Sequence, residues 1–230
     1  MGVFHFSDAR ANVLAVYYVE IAAKNYLQAE KQLNDLRGHS LCVDELAIGR
    51  EIFQHAVTCI VFSALTIESY INDYLCKIVG DMFFYDNLQS LSVISKLQLC
   101  SRIITSQELD KETSACYALL KKLMKMRNEF VHNKSYECPT MSVEDVEFYN
   151  EALAQGLVQE HSYEDFISSI IEDRTIDLTN AWDSLRAVFE VAKIIDSIDD
   201  HAYSEIVLLG GEIGFGHPEE VAEIHRRLRR

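Results

Sequence analysis

The sequence predicts an all-α protein, an up-and-down helical bundle with additional helices toward its C-terminal end. Long segments repeat apolar residues every 3.6 positions, and the alternating pattern typical of strands is nearly absent. Two prolines and nine glycines among 230 residues leave little material for linkers. A hydrophobic content of 49% is enough to fill a large core. These observations together predict one bundle of long helices rather than a chain of small modules.

Four long helices are predicted in the first 140 residues. The first begins at Ser7 or Asp8, which are good N-caps, and ends at Gly38. The next three are expected over residues 45–79, 88–105 and 110–133. The second of the four is apolar on nearly every face, which predicts that it lies at the centre of the bundle. A turn at Pro139 closes this part of the chain.

The charge changes sharply beyond that turn. Residues 1–140 hold 14 basic and 16 acidic side chains, whereas residues 141–230 hold 7 and 20. Any site for an anion is therefore expected in the first part. The acidic part is predicted to be helical over 142–156 and 178–203, and a terminal helix starts at Pro218.

Three regions follow from these patterns. We expect an N-terminal helix that packs on the bundle (1–44), a helical core (45–140) and an acidic helical extension (141–230). The extension is expected to belong to the same globular unit as the core.

Composition also excludes some classes of function. A net charge of −15 argues against broad attraction to duplex nucleic acid, so any contact with nucleic acid has to be local. The most apolar window, 56–67, is too short to span a bilayer, and the first residues lack a secretory signal. Six cysteines without a CxxC pair favour reduced, buried thiols. We expect a cytoplasmic protein without membrane association, metal or cofactor.

The segment KKLMKMRNEFVHNKS, residues 121–135, contains the most informative helix. On a helical wheel Arg127 falls inside the apolar arc, between Leu123 and Leu120. A guanidinium among apolar groups needs a carboxylate, a phosphate or a partner subunit to compensate its charge. Glu68 is the expected internal partner, and Asp73 is the weaker candidate.

A polar strip runs beside that arc. Lys121, Lys125, Asn128 and His132 lie within about 60° of one another on the wheel. The strip offers a phosphate point charges, an amide and a group that exchanges protons near neutral pH, with Arg127 at its border as a bidentate donor. The alternative interpretation is an ordinary solvated helix face.

The hexapeptide Arg127-Asn128-Glu129-Phe130-Val131-His132 resembles the R-polar-x3-H signature of HEPN-domain proteins. This family of helical bundles includes many metal-independent ribonucleases of bacterial defence and toxin–antitoxin systems. The segment FSALTIESYINDYL, residues 62–75, is similar to an early helix of the family, with Glu68 as its acidic residue. The resemblance covers roughly residues 45–140.

The resemblance implies a homodimer in which Arg127 and His132 of two protomers meet across a two-fold axis. It implies an endoribonuclease that acts by attack of the RNA 2′-hydroxyl, with 2′,3′-cyclic phosphate products. His132 would be the base or the acid, Arg127 would stabilise the phosphorane, and Asn128 would orient His132 or a phosphate oxygen. Lys121, Lys125 and Lys134 would bind RNA phosphates.

The implied biological setting is anti-phage defence, including abortive infection, or toxin–antitoxin growth arrest, with an antitoxin or defence protein as a possible partner. One subgroup of the family carries a Tyr two residues after the His. Lys134 stands there in this sequence, which places the chain outside that subgroup's pattern.

Other interpretations remain. The chain could be a non-catalytic interaction protein in which Arg127 and Glu68 form a structural pair and the acidic helices contact a basic partner. A second Arg-x4-His match, Arg50 and His55, lacks the polar residue after the Arg and is interpreted as chance. Glu129 and His132 form one Glu-x-x-His, but a ferritin-like metal site needs two. The segment GGEIGFG, 210–216, is interpreted as a flexible connection rather than a phosphate-binding loop.

Overall fold

A computed structural model describes residues 10–36, 43–110, 115–131, 178–199 and 219–230. Within these ranges the chain is helical and contains no strand, so the all-α prediction is confirmed. The seven described helices are α1 (Arg10–Leu36), α2 (Val43–Val79), α3 (Asp81–Asn87), α4 (Val93–Thr105), α5 (Ala115–Val131), α6 (Leu178–Ile198) and α7 (Glu219–Leu228). The predicted helix over 142–156 lies outside the described residues.

Helix α2 is the centre of the bundle, as its apolar sequence predicts. It contacts α1, α3, α4, α5 and α6. Its fully buried side chains recur every three or four residues, which places them on one continuous stripe. They include Ile60, Ile67, Ile71 and Leu75. Gly49–Val79 is long and apolar enough to cross a membrane by composition, a test that the core helix of a soluble bundle also passes.

Helix α1 packs along α2 through small residues. Ala15, Ala22, Ala23 and Ala29 are all fully buried at the contact. Alanines at helical spacing let two helices approach closely, so the larger side chains of α2 fill the space between them. Helix α6 covers another side of α2, and α7 packs on α1 and α6.

The short helix α3 was not predicted, and it displaces the start of the next helix. Gly80 ends α2 with φ of 85°, a left-handed conformation that L side chains rarely adopt. The predicted helix over 88–105 begins only at Val93, because the hydroxyl of Ser92 accepts a hydrogen bond from the backbone N–H of Ser95 and caps α4 there. Helix α6 starts at Leu178 as predicted and ends at Ile198, before the predicted end.

Candidate functional site

The Arg127 guanidinium reaches from α5 to α2. Its Nη2 donates to Oε2 of Glu68 at 2.9 Å, so the predicted internal partner is the one that the structure shows. The alternative partner, Asp73, is bonded to Lys77 at 3.6 Å. The side chains of Arg127 and Glu68 are 24% and 32% exposed, so the pair lies at the edge of the core and is not sealed from solvent.

Two further features describe how Arg127 is held. Its Nη1 donates to Oδ1 of Asn128 at 3.0 Å, a neutral acceptor on the next residue. Its Nε is buried and has no hydrogen-bond partner among the described residues. A buried donor without an acceptor costs about 1–3 kcal/mol, so Arg127 is incompletely satisfied by its own chain. In this arrangement the amide oxygen of Asn128 accepts a hydrogen bond from Arg127.

The apolar side chains of α5 are buried as the helical wheel predicts, with one exception. Leu120, Leu123 and Met126 are buried, which confirms the apolar arc. Val131 was predicted to join the arc, but it is 53% exposed because it is the last residue of α5.

The predicted polar strip is solvent-exposed where the structure describes it. Lys121, Lys125 and Asn128 are exposed, and Lys125 makes only a long contact of 3.9 Å with Glu129. A neighbouring lysine faces the bundle instead, since Lys122 pairs with Asp183 of α6 at 2.8 Å. The strip therefore presents two ammonium groups to solvent beside Arg127.

Two predicted site residues, His132 and Lys134, lie outside the described residues. Their roles stay predictions. The structure thus brings together Arg127, Asn128 and Glu68, and it places Lys121 and Lys125 on the same helix as the first two.

The sequence interpretation missed one residue near this pair, Lys96 of α4. It is 2% exposed, although lysine is almost never fully buried. A signal was present in the sequence, since Lys96 stands three residues after Val93 and four before Cys100, on the buried stripe of α4.

The second Arg-x4-His match has a structural explanation. His55 Nδ1 lies 2.7 Å from Oδ1 of Asn25, which joins α2 to α1. The Nδ2 of Asn25 donates to the carbonyl of Ile21, so its Oδ1 is the acceptor and His55 Nδ1 carries the proton. His55 is therefore a donor between two core helices, while Arg50 is exposed.

The described cysteines are free thiols, as predicted. They are Cys59, Cys76, Cys100 and Cys116. Burial raises the pKa of Cys59, Cys100 and Cys116 to about 12, so these thiols stay protonated at neutral pH. Cys42 and Cys138 lie outside the described residues.

No metal-binding cluster of three or more His, Cys, Asp or Glu occurs in the part of the chain that the structure describes. Comparisons of the chain with models of protein families, with curated proteins and with solved structures found no match.

Chemically, the described residues place three cationic side chains on α5, one of them paired with a carboxylate of α2. Arg127 offers a delocalised cation at the surface, Asn128 holds it in place, and two exposed lysines extend the positive charge along α5. The Glu68 carboxylate occupies one nitrogen of the guanidinium, so an incoming phosphate has to share Arg127 with it or displace it.

Proposed function

We propose that the chain is a metal-independent endoribonuclease of HEPN type, acting as a cytoplasmic homodimer in anti-phage defence or toxin–antitoxin growth arrest. The observation that carries the proposal is the state of Arg127. It is an incompletely satisfied, partly exposed arginine, bonded to one carboxylate and one neutral amide, five residues before His132 on the R-polar-x3-H motif. Buried polar groups nearly always have a hydrogen-bond partner, so the Nε of Arg127 is an exception that calls for an explanation.

The proposed reaction needs a base, an acid and a group that stabilises charge. A base removes the proton of the RNA 2′-hydroxyl, whose oxygen attacks the adjacent phosphorus. The bond from phosphorus to the 5′-oxygen breaks, and that oxygen takes a proton from the acid. The products are a 2′,3′-cyclic phosphate and a 5′-hydroxyl.

The roles of the residues follow from their chemistry. His132 is the base or the acid, because imidazole exchanges protons near neutral pH. Arg127 stabilises the negative charge that develops on the phosphorane oxygens, and Asn128 keeps its guanidinium in place. Lys121, Lys125 and Lys134 bind flanking phosphates. The dimer supplies a second copy of Arg127 and His132 to the same site.

The test is incubation of the purified protein with tRNA and mRNA in excess EDTA, with product ends analysed for 2′,3′-cyclic phosphate. Wild-type protein is expected to cleave. Arg127→Ala and His132→Ala are expected to lower the rate at least ~100-fold, the size of losing one charge-stabilising donor or one proton-transfer group.

The second Arg-x4-His match supplies a matched control. Arg50→Ala removes an exposed arginine from the same type of motif and is expected to cleave like wild type. Absence of cleavage by wild type, or equal cleavage by the Arg127 and His132 variants, would defeat the proposal.

A second candidate is a non-catalytic interaction protein. Two observations favour it: Arg127 has an internal carboxylate partner, and α3 exposes large apolar side chains. Met82, Phe83 and Tyr85 are 79%, 54% and 60% exposed. A partner that docks there would be lost on Met82→Asp and Phe83→Asp and kept on Arg127→Ala, which co-purification from the native host would measure. Loss of cleavage activity in the same α3 variants would contradict this candidate.

A further inference from the structure

Lys96 is a cation inside the bundle with no carboxylate of its own. Its Nζ donates to Oδ1 of Asn72 at 2.8 Å and to the carbonyl of Gln89 at 2.9 Å, and it lies 5.3 Å from the ring centroid of Phe84. Among the described residues no carboxylate lies within ion-pair distance of this ammonium. A buried charge on neutral acceptors alone is costly, so a nearby anion has to compensate it.

Glu68 is a carboxylate that acts on this charge. Asn72, which holds the Lys96 ammonium, follows Glu68 by four residues on α2, so the two side chains lie on adjacent turns of one helix face. The electrostatics agree with this placement. Burial lowers the pKa of Lys96, and the Glu68 carboxylate acts in the opposite direction.

Glu68 therefore serves two cations from different helices. Its Oε2 accepts from Arg127 of α5, and its charge favours the protonated form of Lys96 of α4, whose ammonium is bonded one turn along α2 at Asn72. A carboxylate that belonged to Arg127 alone would be expected to engage two of its N–H groups in parallel. Here Nε of Arg127 is buried without an acceptor, which is the expected result of sharing.

We infer that Lys96 is a positioning residue. It attracts the Glu68 carboxylate and so prevents Glu68 from bonding Arg127 through two N–H groups. The cluster of Lys96, Glu68 and Arg127 then keeps one excess positive charge, which can bind an oxyanion. The consequence for RNA rests on the proposed function. The coupling between Lys96, Glu68 and Arg127 does not, because it is a property of the folded chain.

A double-mutant cycle tests the coupling. Lys96→Met removes the charge and keeps an apolar stem of similar length. In wild type it leaves Asn72 without its donor and Glu68 with Arg127 as its remaining cation, whereas in Glu68→Gln the lysine has already lost its anion. The loss in the folding equilibrium constant on Lys96→Met is therefore expected to be about five- to tenfold smaller in the Glu68→Gln background. Equal losses in both backgrounds overturn the inference.

A second variant tests the same coupling if Lys96→Met does not fold. Asn72→Asp is isosteric and gives Lys96 a carboxylate at the position it already bonds. Glu68 is then released toward Arg127, whose Nε–H gains an acceptor. In ¹H–¹⁵N spectra of the arginine side chains, the Arg127 Nε–H signal is expected to move downfield and to exchange with water about fivefold more slowly. An unchanged signal overturns the inference.

Lys122→Met is the matched control. It removes a lysine that pairs with Asp183 and not with Glu68, so it is expected to show no coupling to Glu68→Gln and no change in the Arg127 signal. Coupling of the same size in this control overturns the assignment to Lys96.

The effect on RNA cleavage is tested separately from the coupling. Where wild type cleaves RNA, Asn72→Asp is expected to lower kcat/KM about tenfold, because Glu68 then occupies more of Arg127. Where wild type does not cleave, the proposed function fails while the cycle and the Arg127 signal still decide the coupling.

Discussion

Two arginines each join helices that are far apart in the sequence, and they are held very differently. Nη1 of Arg227 on α7 lies 2.8 and 2.7 Å from the two carboxylate oxygens of Glu30 on α1, and its Nε donates to Glu223 at 2.8 Å. These two carboxylates raise the pKa of Arg227. Arg127 has one carboxylate bond, a neutral amide and a buried Nε without a partner.

The difference separates an arginine held by two carboxylates from one held by a carboxylate and a neutral amide. Both arginines are similarly exposed, at 34% and 24%, so solvent access does not explain the contrast. Arg227 has its charge balanced by two carboxylates and fixes the last helix on the bundle. Arg127 is partly exposed and keeps one unused donor, since its buried Nε has no acceptor among the described residues.

The largest expected effect that distinguishes the two pairs is on stability. Arg227→Met, which keeps an apolar stem, is expected to lower the free energy of unfolding by about 1–2 kcal/mol, since charge-assisted bonds to a partly exposed carboxylate are lost. Arg127→Met is expected to cost less than about 1 kcal/mol, because the substitution also removes a buried, unsatisfied Nε. Urea unfolding at pH 7 measures both.

A local probe serves as the control for this measurement. Trp182 is the single tryptophan of the chain, and its ring lies 5.2 Å from that of Tyr26, whose hydroxyl donates to Glu30. Its fluorescence is expected to change on Arg227→Met and not on Arg127→Met. A larger loss of stability for the Arg127 variant would contradict the comparison.

The next effect is a pH dependence of stability that arises at Tyr26, beside Arg227. Burial and the neighbouring Glu30 carboxylate raise the pKa of Tyr26 from 10.0 to about 12. The folded state therefore keeps this proton where the unfolded state loses it, so the stabilisation is complete below pH 10 and is lost as the pH rises toward 12. Tyr26→Phe is expected to reduce this alkaline loss by about 1 kcal/mol, discounted for the partly exposed pair.

Urea unfolding of both proteins between pH 9 and about 11 checks this. The buried thiols titrate in the same sense in wild type and variant, so their contribution cancels in the difference. Identical pH slopes for the two proteins would show that Tyr26 does not carry the effect.

The smallest effect concerns the amide that holds Arg127. Asn128→Ala removes a hydrogen bond from the Arg127 cation to a neutral amide at an exposed position, where solvent replaces the acceptor. It is expected to change the free energy of unfolding by less than about 0.5 kcal/mol. Thermal and urea unfolding measure it. A loss above about 1 kcal/mol would mean that Asn128 is part of the stabilising framework, and the contrast with Arg227 would weaken.

Local patterns predicted most of the helices and one of the charge pairs. The start of α6 at Leu178 and the central place of α2 follow from apolar periodicity, which local sequence carries directly. Arg127 inside an apolar arc required a carboxylate, and Glu68 on the central helix was the expected one. The helix α3 was missed because seven residues after a glycine provide too short a pattern to recognise.

What the sequence alone determined is the helical class, the core faces and the need of Arg127 for a counter-charge, because each depends on residues a few positions apart. What only the tertiary structure decided is how each charge is shared. Three contacts join separate helices: Lys96 with Asn72, Arg127 with Glu68, and Arg227 with Glu30. Those distances are set by helix packing, and no local pattern specifies which of several carboxylates an arginine will meet.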